Sequence, residues 1–62
     1  MPSDPALRAM TRNAHRQTTE IISALDRMGP RARDEFPSDA LDSLERAHKE
    51  LAKAMRRMAI HA

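Results

Sequence analysis

Apolar and small residues recur along this chain at alternating intervals of three and four: Leu7, Thr11, Ala14, Thr18, Ile21, Leu25 and Met28, then Leu41, Leu44, His48, Leu51, Met55 and Met58. That spacing holds each set on one side of an α-helix and is the pattern of a helix-packing seam. Between the two stripes stand Gly29, Pro30 and Pro37, residues that stop one helix and prepare the next. The pattern predicts an all-α fold, a helical hairpin, as one domain over residues 1–62, with helix one at about 4–28, a turn at 29–36 and helix two at about 37–60.

The boundaries follow from capping chemistry. Ser3 or Asp4 can accept from free backbone amides at the start of helix one, and Pro5 suits the first turn, where its missing N–H is harmless. Gly29 is placed to follow the last helical residue. Asp34, Ser38 and Asp39 are candidate caps for helix two, and Phe36 precedes Leu41 by five residues, the spacing of a hydrophobic staple. The polar segment Arg31–Phe36 is too short for a packed element but long enough for one turn of helix.

Ala40, Ala47 and Ala54 flank the second stripe on one side, and Ala52 and Ala59 on the other. Small flanks allow close helix approach. A lone hairpin buries only the strip between its own helices, so Met10, Ile22, Ala24 and these alanines call for further cover. The expected assembly is a homodimer, two hairpins pairing into an antiparallel four-helix bundle; docking of a single hairpin on a larger protein would cover the same surface. The expected dimer or partner interface is Leu7, Met10, Ala14, Thr18, Ile21, Ile22, Leu25, Met28, Leu41, Leu44, His48, Leu51, Met55 and Met58.

Composition narrows the class. At 62 residues a single core barely offsets chain entropy, which again predicts reliance on a partner. The chain has no cysteine, hence no disulfide framework and no thiolate metal site. The opening Met1-Pro2-Ser3-Asp4-Pro5 lacks an apolar run of signal-peptide length, and no later stretch is long enough to span a bilayer, so the expectation is a cytoplasmic protein with no membrane contact.

Charge is uneven. Residues 1–23 have a net charge of +1, residues 24–45 of −3 and residues 46–62 of +4. In a hairpin the turn end is therefore acidic and the open end basic. In an antiparallel dimer each basic end would lie beside the other copy's acidic turn, fixing orientation. The same basic groups, Arg8, Arg12, His15 and Arg16 on helix one with Lys49, Lys53, Arg56 and Arg57 on helix two, form with the neutral Gln17 the candidate phosphate-binding surface. With Phe36 the only aromatic, stacking on unpaired bases is nearly excluded.

The run Gln17-Thr18-Thr19-Glu20-Ile21-Ile22-Ser23-Ala24-Leu25-Asp26-Arg27-Met28, together with Asp39, Ser43, Leu44, Glu50 and Leu51, resembles Rop, a small plasmid RNA-binding protein family of helical hairpins that pair into antiparallel four-helix bundles. The resemblance covers most of both helices, with a longer turn here. It implies RNA binding through helix one, where Gln17 is kept and Arg12 falls on a basic position, while Asn13 stands in place of an aromatic residue and Ala24 in place of a lysine.

A di-metal bundle with ferritin-like ligands is the alternative with the most chemistry in it. Glu45-Arg46-Ala47-His48 has Glu-x-x-His spacing, which puts both side chains on one helix face, and Glu20 on helix one could join them. Ordinary ion pairs, Glu45 with Lys49 and Arg46 with Glu50, account for the same charges without metal, so no cofactor is expected. His48 in an apolar seam also fits a register-setting polar layer. Ser3, Ser23, Ser38 and Ser43 lack an evident base, so catalysis is not expected. The reading is a non-enzymatic regulator or adaptor that binds a larger protein partner, with Rop-like RNA binding as the alternative.

Overall fold

A computed structural model describes residues 4–60, and the cap expected at Ser3 lies outside them. Three helices follow in order: α1, Pro5–Met28; α2, Pro30–Glu35; and α3, Ser38–Arg57. Among the described residues there is no strand. α1 and α3 lie side by side as the two arms of a hairpin, in a molecule extending 45 × 19 × 15 Å.

α1 starts where its capping residues are. Asp4 Oδ1 accepts from the Ala6 amide at 2.7 Å, and Pro5 fills the first helical position. The helix stops at Gly29, whose φ of 93° and ψ of 179° belong to a region that only glycine enters without strain. The Gly29 carbonyl then accepts from the Ala32 and Arg33 amides, so the expected turn of helix inside the connection is the short α2. α3 begins after Pro37 with no side-chain cap: Asp34, Ser38 and Asp39 do not serve, and Asp39 instead places its carboxylate in the positive first turn. Phe36 and Leu41 do occupy the two positions of a hydrophobic staple around Pro37.

α3 ends in a Schellman motif. The Ile60 amide donates to the Met55 carbonyl at 2.8 Å and the Ala59 amide to the Arg56 carbonyl at 3.1 Å, with Ala59 in the left-handed region at φ 56°. Ile60 and Met55, the pair that this motif brings together, are both buried. With Leu25 they make up the whole set of buried apolar side chains among the described residues.

The inward face of α3 is the expected stripe: Leu41, Leu44, His48, Leu51 and Met58 are half-buried and Met55 is buried. On α1 the seam is rotated by one residue from the expected one. Arg8, Thr11, His15, Thr18, Ile22 and Leu25 are half-buried or buried at intervals of three and four, whereas Leu7, Ile21 and Met28 stand in solvent. Both stripes share Thr11, Thr18 and Leu25, so periodicity alone fits either side of that spine. Polar contacts across the helix pair lie on the observed side.

Candidate functional site

Two of those contacts come from residues with functional chemistry. The Arg8 guanidinium donates to the Met58 carbonyl and, at 3.5 Å, to the Ala59 carbonyl, capping the C-terminal end of α3. A cation there meets the negative end of the helix dipole and satisfies carbonyls that the helix leaves free. Arg8, expected on a phosphate-binding surface, is thus half-buried and engaged within the hairpin.

Midway along the hairpin the imidazoles of His15 and His48 stack, with ring centroids 4.6 Å apart and planes 21° from parallel. Thr19 Oγ1 lies 3.0 Å from His48 Nε2 and donates to the His15 carbonyl at 2.9 Å. His48 therefore faces His15 of its own hairpin. The pairing could have been read from the sequence only by choosing the row of Arg8, His15 and Ile22 over that of Leu7, Ala14 and Ile21.

Beside this stack an open groove of about 350 Å³ is lined by Arg12, His15, Arg16, Thr19, Glu20 and Met55. It gathers two of the expected phosphate contacts, Arg12 and Arg16, over a mostly apolar wall. A second concavity of about 270 Å³, lined by Glu50, Lys53, Ala54 and Arg57, gathers two more. Gln17, Lys49 and Arg56 are exposed on their helices. The basic groups are distributed in two places, each with a carboxylate: Arg16 pairs with Glu20 at 3.9 Å and Lys53 with Glu50 at 3.3 Å.

Glu20 and Glu45 do not gather with His48 in one chain. Glu20 is beside Arg16, and Glu45 lies 3.8 Å from Arg33, which also holds Asp26 at 2.5 Å and so links all three helices. Among the described residues no three His, Asp or Glu side chains are placed to hold a metal ion. The Glu-x-x-His spacing has its carboxylate drawn toward the turn instead.

The open apolar surface is concentrated on α1. Leu7, Met10, Ile21 and Met28 are 56%, 65%, 44% and 71% exposed. Leu7, Ile21 and Met28 are whole heptads apart, so they share one side of the helix with half-buried Ala14 between them. No described helix is long and apolar enough to cross a membrane. No protein-family model matches the sequence, and no curated protein or solved structure matches it significantly.

Proposed function

We propose that this chain is a small non-enzymatic regulator or adaptor whose hairpins pair into a homodimeric four-helix bundle and which docks a larger protein through its helix faces. The observation that carries the reading is the row Leu7, Ile21 and Met28, with Met10 beside it, exposed on α1 while the α3 stripe is already turned inward. Four large apolar side chains on one helix of so small a molecule form a surface suited to another helix, and methionines adapt to varied partners. Charge favours an antiparallel copy, the basic open end meeting an acidic turn.

Light scattering tests it. The expected mass is twice the chain's 7.0 kDa, and Ile21→Lys, on the exposed row, is expected to return the protein to a monomer with its helix content kept. A wild-type monomer across the micromolar range would sink the dimer.

Rop-like RNA binding is the second reading, supported by Arg12 and Arg16 flanking one groove with Gln17 exposed on the same helix. Its signature is affinity for a structured RNA that falls steeply with salt, and a shallower salt slope in Arg12→Gln or Arg16→Gln.

A further inference from the structure

We infer that the groove beside the histidine stack is a binding site for a free amphiphilic carboxylate, a hydrocarbon body with one anionic head, of the fatty-acid class. Its wall is mostly apolar, with buried Met55 among the residues that line it and the alkyl stems of Arg12 and Arg16 beside it. Two guanidiniums stand there against the single carboxylate of Glu20, a net of one positive charge. Each feature excludes a class of ligand. A cation is opposed by the arginines. A bare phosphate loses water against apolar surface that returns no hydrogen bonds, and a wholly apolar molecule strips water from a guanidinium and leaves it unpaired. An apolar body with one anionic head meets both the wall and the charge.

Arg12 is the residue placed to take the head group. Among the described residues its side chain makes no hydrogen bond or ion pair, whereas Arg16 is drawn to Glu20 at 3.9 Å. Four positions apart on α1, the two arginines share a helix face, and the guanidinium fork matches the two oxygens of a carboxylate. The Arg16–Glu20 pair is solvent-exposed and hence weak, so a ligand carboxylate competes for it. Thr19 donates its one hydroxyl proton to the His15 carbonyl at 2.9 Å, so it has no proton to give a ligand. The lining extends from Arg12 to Glu20, about 12 Å along α1, which suits an extended medium-chain alkyl group. A volume of about 350 Å³ is within the range of small-ligand sites. Five positions, about 140° around the helix, separate Leu7 from Arg12 and Ile21 from Arg16, so covering the exposed apolar row leaves the groove open.

The test is a titration of the intact chain with sodium dodecanoate below its micellar concentration, read by NMR of the methionine methyls and the arginine Nε–H groups. The Met55 methyl and Arg12 Nε–H are expected to shift together and to saturate with one ligand per chain. Dodecanol, which lacks the charge, and acetate or inorganic phosphate, which lack the body, should each bind at least tenfold more weakly. Arg12→Gln should lower the affinity for dodecanoate at least tenfold, and Glu20→Gln, which removes a like charge, should raise it about threefold. Arg57→Gln, in the second concavity, and Ile21→Lys, on the exposed row, should leave it unchanged. Shifts led by Met10 or Met28, binding lost in Ile21→Lys, equal affinity for dodecanol, no shift at all, or an affinity indifferent to Arg12→Gln and Glu20→Gln would overturn the site.

Discussion

Ala59 holds the left-handed conformation of a Schellman motif, a position that glycine usually fills. Its Cβ there crowds the neighbouring carbonyl at a cost of about 1–2 kcal/mol, against which glycine would lose about 0.5–1 kcal/mol through its freer unfolded chain. Ala59→Gly is therefore expected to stabilise the hairpin by up to about 1 kcal/mol, read as a higher urea midpoint at constant slope. A lower midpoint would mean that the exposed Ala59 methyl matters more than the backbone. Alanine persists at this turn because other groups hold it: Arg8 binds the Met58 and Ala59 carbonyls, and Ile60 is buried in the next position.

At the scale of elements, the connection between α1 and α3 is set by backbone geometry more than by charge. Gly29 has open space around the place of a Cβ, so any cost of Gly29→Ala comes from φ 93° alone. That region costs other residues about 1–3 kcal/mol, and Gly29→Ala should lower stability by about 2 kcal/mol in chemical unfolding. Arg33, by contrast, joins Asp26 and Glu45 through side chains that are 41–57% exposed. Solvent screens such pairs, so Arg33→Met should cost less than about 1 kcal/mol, and the difference from wild type should fade in 1 M salt. If Arg33→Met proves the more damaging of the two substitutions, the turn is held by its ion pairs instead.

For the molecule as a whole, the balance among the described residues, three buried apolar side chains against four large exposed ones, is poor for a chain of this length. Self-association would correct it by covering α1. Folding and association would then be coupled by mass action, and the melting temperature should rise with protein concentration in the wild type but not in Ile21→Lys. A melting temperature independent of concentration in both would mean that the hairpin's own contacts suffice.

Much of this was legible in the chain itself. Heptad spacing, the Asp4-Pro5 start, the Gly29 stop and the inward stripe of α3 are local properties: they follow from helix period, from caps and from backbone freedom within a few residues. Three features depend on residues far apart in sequence and were decided only by the tertiary structure. Arg8 meets the end of α3 some fifty residues later, His15 meets His48, and Arg33 reaches Glu45 across the turn. The first two of these contacts lie on the side of the Thr11, Thr18 and Leu25 spine that turns inward. Period alone leaves both sides equal, because two stripes that share every second member have the same repeat; the partner helix breaks the tie and thereby leaves Leu7, Ile21 and Met28 exposed.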